Sequence, residues 1–258
     1  MSEPSGSNLL QGKVAIVTGA GGDIGRAICV RYAQEGARVV VAEIKRELAE
    51  RTAQAVTKAG GEALALTVDV SQESDAEAMA RQAFERLGRI DVLVNCAALF
   101  ANVRRAPFYE ISVEEWDALM AVNLRGMWLC TKAVFPYMRE QASGRVINIA
   151  SGTAFWGAPD FLHYVTSKAG VIGITRSLAR ELGEYGINVN AIAPGLTATS
   201  GAMTNTSREF MEQRVSIGAF KRVEEPDDLV GTFVYLASDD SAFMTGQTIV
   251  VDGGRILW

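Results

Sequence analysis

Histidine and cysteine are scarce in this sequence, and their scarcity limits the chemistry open to the protein. Of its 258 residues one is histidine, His163, and three are cysteine. A catalytic zinc site needs about three protein ligands drawn from histidine, cysteine and acidic side chains, and these residues form no such cluster. A Ser-His-Asp hydrolase would have to use His163, yet no G-x-S-x-G segment precedes it. We therefore expect neither a metal site nor a serine hydrolase.

Targeting and membrane signals are also lacking. No segment reaches the roughly 18 consecutive apolar residues of a transmembrane helix, and the polar N-terminus, MSEPSGSNLLQ, lacks the pattern of a secretory signal. Cys29, Cys96 and Cys130 lie far apart among apolar residues, which predicts free thiols in a reducing compartment. We expect a cytoplasmic protein that does not bind membranes, with a flexible lead-in over residues 1–11.

No block of one charge stands out. The 25 basic and 30 acidic residues give a net charge of −5, and without a basic patch neither a nucleic acid nor an anionic membrane is an expected partner. Apolar residues make up 48 % of the chain, enough for a large core. Length and composition together favour one α/β domain over residues 1–258.

Short apolar runs alternate with stretches of helical periodicity along the whole chain. Strands are predicted at 13–18, 38–42, 63–70, 90–95, 145–149, 187–193 and 248–251, and helices at 23–35, 45–59, 73–87, 112–139, 164–182 and 226–236. Apolar strands between helices indicate a doubly wound parallel sheet with helices on both faces. Residues 194–220 are rich in Thr and Ser and are predicted to form an irregular substrate-binding loop, with a short helix near Phe210.

A glycine-rich turn lies between the first predicted strand and the first predicted helix. It reads Thr18-Gly19-Ala20-Gly21-Gly22-Asp23-Ile24-Gly25, and glycines in this context let the backbone approach a pyrophosphate at the start of a helix. Glu43 follows the second strand, where a carboxylate can accept hydrogen bonds from ribose hydroxyls. Asp69 and Asn95 end the third and fourth strands, at the sheet edge where ligands bind. Both residues also suit turns or helix caps.

Tyr164 and Lys168 lie four residues apart on a predicted helix and therefore share a face. A free tyrosine has a pKa of about 10, too high for a base at neutral pH. A neighbouring ammonium stabilises the phenolate and lowers that pKa. Ser151, after the fifth strand, can hold the substrate oxygen while the tyrosine exchanges the proton. Y-x-x-x-K is common by itself, so its meaning depends on its place in the fold.

Taken in order, these motifs resemble those of the short-chain dehydrogenase/reductase family over essentially the whole chain. The matching segments are the T-G-x-x-x-x-x-G turn at 18–25, Asp69-Val70, the N-x-A stretch from Asn95, Asn123, Ser151, Tyr164 with Lys168, and Pro194-Gly195. The resemblance implies a Rossmann-type sheet of seven strands, a nicotinamide cofactor and a catalytic tetrad of Asn123, Ser151, Tyr164 and Lys168. It also implies that Lys168 binds the nicotinamide ribose and that Asn123 holds a water of the proton relay.

The expected cofactor contacts follow from the glycine turn and from the resemblance. They are Gly19, Gly22, Asp23, Ile24, Gly25, Glu43, Asp69, Val70, Asn95, Ala97, Tyr164, Lys168, Pro194, Gly195, Thr197 and Thr199. The sequence departs from the family pattern at Asp23, in place of the middle glycine of the turn, and at Ala98, in place of a glycine. Asp23 can cap the helix, but its charge would repel a phosphate unless the side chain points away.

NAD is the expected cofactor. NADP carries an additional phosphate on the adenosine ribose, and the Glu43 carboxylate would repel it. Lys45 and Arg46 oppose this interpretation, because either side chain could turn in to meet that phosphate. We favour an NAD-dependent secondary-alcohol dehydrogenase. The alternatives are an NADPH-dependent 3-oxoacyl-carrier-protein reductase and a catalytically silent NAD-binding regulator, and the complete tetrad argues against the regulator.

An apolar, cyclic or aromatic substrate is predicted from the residues around the tetrad. The expected substrate contacts are Ser151, Phe155, Trp156, Phe161, Tyr164 and Met203. Between Ser151 and Tyr164 there is no Arg or Lys to bind a carboxylate or a phosphate. Some of these aromatic side chains equally suit a plain core.

A homotetramer is the expected assembly. The stretches at 112–139 and 160–183 carry more apolar side chains than one sheet face needs, Trp128 among them, and the resemblance implies that these helices pair across a two-fold axis. The chain also ends in Ile256-Leu257-Trp258, which suits burial at a subunit contact or, alternatively, an exposed tail.

Overall fold

One parallel sheet of seven strands runs through the described part of the chain, which in this computed structural model is residues 8–257 without the side chains at 204, 205, 208 and 214. The strands are β1 (Val14–Thr18), β2 (Arg38–Glu43), β3 (Ala63–Thr67), β4 (Val92–Asn95), β5 (Gly144–Ile149), β6 (Ile187–Pro194) and β7 (Thr248–Val251). Their spatial order, β3-β2-β1-β4-β5-β6-β7, reverses between β1 and β4. Ligands of open α/β sheets bind outside the carboxyl ends of the strands at such a point. The predicted doubly wound α/β fold is confirmed.

Helices cover both faces of the sheet. They are α1 (Asp23–Gln34), α2 (Arg46–Lys58), α3 (Glu73–Leu87), α4 (Val113–Met120), α5 (Gly126–Glu140), α6 (Thr153–Trp156), α7 (Leu162–Leu182), α8 (Ser200–Asn205), α9 (Arg208–Ile217) and α10 (Pro226–Ala237). One apolar layer packs α1, α2 and α10 against the sheet, and the other packs α3, α5 and α7. Because successive strand residues point to opposite faces, Val17 belongs to the first layer and its neighbour Ile16 to the second, both fully buried.

The third strand is shorter than predicted. It ends at Thr67, which pairs with Glu43, rather than at Val70. β2 ends at Glu43 and offers no further residue for pairing, so Asp69 lies in the turn that follows. There its Oδ1 atom accepts hydrogen bonds from the N–H and the hydroxyl of Ser71, at 2.9 and 2.7 Å. Asp69 therefore fulfils the turn-forming role that its residue type also allowed.

The 194–220 segment is more regular than predicted, because two helices, α8 and α9, occupy much of it. The hydroxyl of Thr199 accepts a hydrogen bond from the N–H of Ala202 at 3.0 Å, and that of Ser207 accepts one from Phe210 at 3.2 Å. Such caps satisfy N–H groups that the first turn of a helix leaves unpaired. The short helix expected near Phe210 is α9.

The long helix predicted from 112 to 139 is interrupted. It begins after Ser112 with the capping box that the S-V-E-E pattern predicts, and a turn of π-helix at Ala121–Arg125 separates α4 from α5. Turns of this kind inside helices are frequent at functional sites. This one contains Asn123.

A flexible lead-in was predicted over residues 1–11, and residues 1–7 of it lie outside the described residues. Beyond it the fold holds the chain, since Leu10 is fully buried and its N–H donates to the carbonyl of Glu35 at 3.0 Å. Trp258 also lies outside the described residues. Among the helices described, none combines the length and the apolar character needed to cross a membrane.

Candidate active site

A cavity of about 470 Å³ lies at the carboxyl ends of β1, β2, β5 and β6, and sites for small molecules typically measure roughly 300–1,000 Å³. The predicted residues that line it are Gly19, Gly22, Asp23, Ile24, Gly25, Glu43, Ser151, Trp156, Phe161, Tyr164, Lys168, Pro194, Gly195, Thr197 and Thr199. The fold therefore brings the glycine turn, the acid at the end of β2 and three tetrad residues to one cavity.

Other predicted residues lie outside the described lining of this cavity. They are Asp69, Val70, Asn95, Ala97, Asn123, Phe155 and Met203. The Nδ2 atom of Asn95 donates to Asn148 on β5 at 2.9 Å and to Thr131 on α5 at 3.2 Å. Phe155 packs against a buried apolar cluster, and Met203 is 55 % exposed. The structure gives these side chains positions in the core, in turns or at the surface rather than at the cavity.

The glycine turn is shaped by close backbone approaches. Gly19 has a φ of +61°, and a Cβ there would lie 2.6 Å from the Cα of Ala97. A Cβ at Gly25 would lie 2.6 Å from the carbonyl oxygen of Gly19. Gly22, the residue before α1, has more room, since the nearest described atom to a Cβ there is that same oxygen at 3.5 Å. Bare backbone at the start of a helix, open to a cavity, fits the pyrophosphate of a dinucleotide.

Glu43 is fixed beside this turn. Its Oε2 atom accepts a hydrogen bond from the N–H of Gly21 at 3.1 Å, and its Oε1 atom accepts one from the N–H of Lys45 at 3.2 Å. Lys45 also lines the cavity. Arg46, the second cation near the end of β2, pairs instead with Glu50 at 2.8 Å. The carboxylate therefore has a defined position at the turn end of the cavity.

Asp23 pairs its charge within the protein. Its Oδ1 atom accepts a hydrogen bond from Arg26 at 2.6 Å, and its Oδ2 atom accepts two from the N–H and the hydroxyl of Ser200, both at 2.7 Å. Burial raises the pKa of the Asp23 carboxyl, but these hydrogen bonds and the Arg26 charge outweigh it and hold the pKa below its usual range. The residue that replaces a glycine thus connects the turn to the start of α8.

Tyr164 and Lys168 share a face of α7, with the Lys168 Nζ atom 5.9 Å from the centre of the Tyr164 ring. Nζ also donates to the carbonyl of Ile149 at 2.8 Å. Burial raises the pKa of Tyr164 to about 12, although a hydrogen bond with Ser151 and the charge of Arg105 lower it. Burial lowers the pKa of Lys168 to about 8. The fall in the tyrosine pKa expected from its lysine neighbour is therefore not found, because burial is the dominant influence here.

Asn123 lies behind the cavity and is fully buried. Its Oδ1 atom accepts a hydrogen bond from the N–H of Leu99 at 2.7 Å, and its Nδ2 atom donates to the carbonyl of Leu99 at 3.2 Å and to Ser167 at 3.3 Å. The Ser167 hydroxyl in turn donates to the carbonyl of Tyr164 at 2.7 Å. Asn123 thus joins the loop after β4 to the helix that carries the tyrosine.

Sequence reasoning missed two cations of the cavity. Arg105, in the loop after β4, and Arg255, beyond β7, both line it. The guanidinium carbon of Arg105 is 4.2 Å from the centre of the Phe161 ring, and that of Arg255 is 4.6 Å from the Trp156 ring. The segment between Ser151 and Tyr164 has no Arg or Lys, as the sequence shows, but these two cations reach the cavity from other parts of the chain. Loops after the strands of such a sheet meet at one site, and this rule was the signal available for Arg105.

The sequence is similar to those of known oxidoreductases over almost its whole length. A family model described as enoyl-(acyl carrier protein) reductase matches residues 19–255. The hydroxy(phenyl)methylsuccinyl-CoA dehydrogenase subunit BbsD of Thauera aromatica is 38 % identical over 251 residues, which cover 96 % of this chain and 98 % of that one. The 3-oxoacyl-(acyl-carrier-protein) reductase FabG of Thermotoga maritima is 35 % identical over 250 residues, with coverages of 96 % and 99 %.

A solved structure extends the similarity to the fold. The structure of 7α-hydroxysteroid dehydrogenase complexed with NADH and 7-oxo glycochenodeoxycholic acid superposes with a TM-score of 0.92 at 30 % identity. The match covers 98 % of each chain. The whole described chain therefore has one architecture in common with that enzyme.

Proposed function

The chain belongs to the short-chain dehydrogenase/reductase family of oxidoreductases, and from this premise we propose that it transfers a hydride between NAD and a secondary alcohol or ketone with an apolar cyclic or aromatic body. The observation that carries the proposal is that Ser151, Tyr164 and Lys168 line the same cavity as the glycine turn. A nicotinamide cofactor bound along that cavity would supply the hydride acceptor or donor. We also propose that the chain forms a single domain and that Tyr164 is the catalytic acid/base.

Tyr164 gives or takes the proton of the substrate oxygen. Since burial raises its pKa to about 12, it is a neutral phenol at neutral pH and begins as a proton donor, as ketone reduction requires. In alcohol oxidation the phenol must first lose its proton, and nearby positive charge stabilises the phenolate. Lys168, with a pKa of about 8, is mostly protonated at neutral pH and supplies part of that charge.

Ser151 orients the substrate oxygen. Its Oγ atom accepts a hydrogen bond from the N–H of Thr153 at 3.2 Å, which leaves the hydroxyl hydrogen available to Tyr164 or to a substrate. A donor with a fixed position is effective because its orientation is set before the substrate arrives. Asn123, behind the cavity, contacts α7 through the Ser167 hydroxyl and is proposed to support the proton relay.

The preference for NAD rests on Glu43. Its carboxylate is held at the cavity by two backbone N–H groups, so it can accept hydrogen bonds from ribose hydroxyls and would repel the additional phosphate of NADP. The related hydroxysteroid dehydrogenase was solved with NADH. Lys45 is the opposing group at the same end of the cavity.

The test of this preference is kcat/KM for both cofactors in the wild type, in Glu43→Ala and in Glu47→Ala. We expect the wild type to favour NAD by about 10- to 1000-fold, or roughly 1.4–4 kcal/mol. Glu43→Ala should reduce that ratio by about tenfold or more, whereas Glu47→Ala, on the exposed first turn of α2, should leave it unchanged. Equal efficiencies in the wild type, or an unchanged ratio in Glu43→Ala, would remove Glu43 from cofactor selection.

An apolar cyclic or aromatic substrate is supported by the aromatic lining near the tetrad, which includes Phe100, Trp156, Phe161 and Phe210. One relative is named for a substrate with a phenyl group, and another was solved with a bile acid derivative. The second candidate is an NADPH-dependent 3-oxoacyl-carrier-protein reductase, which the relative from Thermotoga maritima favours. A panel of cyclic and aromatic alcohols with NAD, set against a 3-oxoacyl thioester with NADPH, distinguishes the two functions.

We also propose a homotetramer in a reducing cytoplasm. Trp128 on α5, Val113 on α4 and Leu162 on α7 are 47, 69 and 45 % exposed in the single chain, and large apolar side chains at the surface of a monomer mark contact sites when they form patches. The three cysteines are all free thiols, which supports a reducing compartment.

A further inference from the structure

We propose that the substrate carries a carboxylate besides its apolar body, and that Arg105 binds this carboxylate with Arg255 as a second cation of the cavity. The inference rests on the proposed function, because it narrows the substrate class of that same site. It adds a charged recognition group to a pocket whose other lining near the tetrad is largely aromatic.

Arg105 lies close to the reacting centre. Its guanidinium carbon is 4.2 Å from the centre of the Phe161 ring and 5.5 Å from that of Phe210. The Phe161 ring in turn stacks on Tyr164, with 4.6 Å between the ring centres. One aromatic ring therefore separates the cation from the acid/base, so a bound carboxylate would lie a few carbon atoms from the carbon that exchanges the hydride.

Among the described residues Arg105 makes no ion pair, whereas its neighbour Arg104 pairs with Glu115 at 2.9 Å. Burial lowers the pKa of Arg105, while Tyr164 and the carboxylate of Asp160 raise it. Arg105 is exposed as a residue, but its guanidinium lies over the Phe161 ring at the cavity, where no carboxylate of the described residues pairs with it. A guanidinium over an aromatic ring keeps its N–H groups available, and their fork matches a carboxylate in a bidentate pair.

Charge is separated along the cavity. Among its described lining residues, the acids Glu43 and Asp23 lie at the glycine turn and the end of β2, together with Lys45, whereas the charged residues that line the rest of the cavity are Lys168, Arg105 and Arg255. Lys168 is occupied by the carbonyl of Ile149. The charged lining residues away from the glycine turn are thus all cations, which favours an anionic substrate.

Arg255 is held in place by the turn that precedes it. The N–H groups of Gly254, Arg255 and Ile256 all donate to the carboxylate of Asp252, at 3.0, 3.0 and 2.9 Å. This turn points the Arg255 side chain over Trp156, with 4.6 Å from the guanidinium carbon to the ring centre. A second cation fixed on the same cavity is consistent with recognition of one anionic group rather than with a solvated surface charge.

The test compares two aromatic keto acids, benzoylpropionate and benzoylbutyrate, with their methyl esters. Reduction by NADH is followed in the wild type, Arg105→Gln, Arg105→Lys and Arg104→Gln, and calorimetry measures binding of each acid to protein saturated with NAD. Removing one partner of a close charge pair typically costs 2–5 kcal/mol, which is about 30-fold or more in affinity. For the acid that the wild type uses more efficiently, we expect Arg105→Gln to lower kcat/KM and affinity by about 30-fold or more. The kcat/KM for its methyl ester and the affinity for NADH should stay nearly unchanged. For the same acid, Arg105→Lys should have values between those of the wild type and Arg105→Gln, and Arg104→Gln should have the wild-type values.

Several outcomes would overturn the proposal. These are equal use of acid and ester by the wild type, an equal loss for both in Arg105→Gln, or no measurable binding of either acid. A further substrate, a 3-oxoacyl coenzyme A thioester without a free carboxylate, gives the last comparison: an Arg105-dependent gain for this thioester and none for the acids would assign the cation to a carrier phosphate instead. Arg105-dependent binding of the acid without turnover by NADH or NADPH would support this inference while it removes the proposed function.

Discussion

At the level of single residues, Gly22 and Gly25 lie three positions apart in one turn but leave different amounts of space for a side chain. A Cβ at Gly25 would lie 2.6 Å from the carbonyl oxygen of Gly19, whereas one at Gly22 would lie 3.5 Å from it. We expect Gly22→Ala to melt near the wild-type temperature but to bind NAD about tenfold more weakly, or by roughly 1.4 kcal/mol, because its methyl group occupies the space where backbone approaches pyrophosphate. Titration calorimetry and thermal melting measure the two effects.

Gly25→Ala is the matched variant, since its methyl group meets backbone that cannot move aside and should lower the melting temperature. If Gly22→Ala binds NAD as tightly as the wild type, the pyrophosphate does not lie at this turn.

Glu224 is a partly buried residue beyond the end of β6, with a carboxyl oxygen, Oε1, that is fully buried. Its Oε2 atom accepts a hydrogen bond from Thr197 at 3.2 Å, and its Oε1 atom has no hydrogen-bond partner within the described residues. Burial raises the pKa of Glu224 from 4.5 to about 7, with the nearby carboxylates Asp228 and Asp252 acting in the same direction. A carboxyl whose folded-state pKa is raised ionises more readily in the unfolded chain, so the protein loses stability as pH rises from about 4.5 through about 7.

We therefore expect the free energy of unfolding of the wild type to fall between pH 5 and pH 8 more steeply than that of Glu224→Gln. Urea unfolding at a series of pH values measures this difference. Glu184→Gln, at an exposed position, serves as the control and should follow the wild type. Parallel pH profiles for the wild type and Glu224→Gln would show that this carboxyl is already ionised in the folded protein.

At the scale of elements, Asp23 ties the glycine turn to α8 through its two hydrogen bonds from Ser200, both at 2.7 Å. We expect Asp23→Gly and Ser200→Ala to make the 194–220 segment more sensitive to limited proteolysis and to raise the KM of the alcohol, while the melting temperature stays near that of the wild type. The reason is that this contact fixes the segment proposed to bind the substrate and is not part of the core. If both variants keep the proteolysis pattern and the KM of the wild type, the contact has no effect on the segment.

The elements that were predicted accurately carry their own local signals. Helix α3, predicted at 73–87 and found at Glu73–Leu87, has regularly spaced apolar residues and ends at Gly88, which has a φ of +77° suited to glycine. The π-helical turn at Ala121–Arg125 has no such signal, since its sequence suits an ordinary helix. Its residue Asn123 accepts a hydrogen bond from the N–H of Leu99 and donates to the carbonyl of Leu99 and to Ser167, and those partners come together only in the folded chain.

In the candidate site, too, some residues could be predicted from local sequence patterns and others could not. The glycine turn, Glu43 and the Tyr164–Lys168 pair were identifiable because each follows a recognisable strand or shares a helix face. Arg105 was not, because its place over Phe161 is set by a long loop after β4 whose path no local pattern specifies. The high pKa of Tyr164 was also missed, since burial is a property of the packed site and not of the Y-x-x-x-K spacing.

At the scale of the whole molecule, the exposed apolar side chains on α4, α5 and α7 predict association. We expect light scattering at micromolar concentration to give about four times the 27.7 kDa mass of one chain. Trp128→Glu places a charge on α5 where 47 % of the tryptophan is exposed, and desolvating that charge in a contact is costly. The variant should therefore dissociate to smaller species. A wild-type monomer would contradict the proposed assembly.

We propose that Tyr164 exchanges the proton of a secondary alcohol while NAD takes the hydride, and we would measure the rate of NADH formation in Tyr164→Phe to test this role. The alcohol that the wild type uses best is supplied at saturation, and NAD affinity is measured separately by calorimetry. We expect the rate to fall by about 10²- to 10⁴-fold, the usual contribution of a general acid or base, while NAD affinity stays close to that of the wild type. If Tyr164→Phe keeps more than about a tenth of the wild-type rate, Tyr164 is not the acid/base.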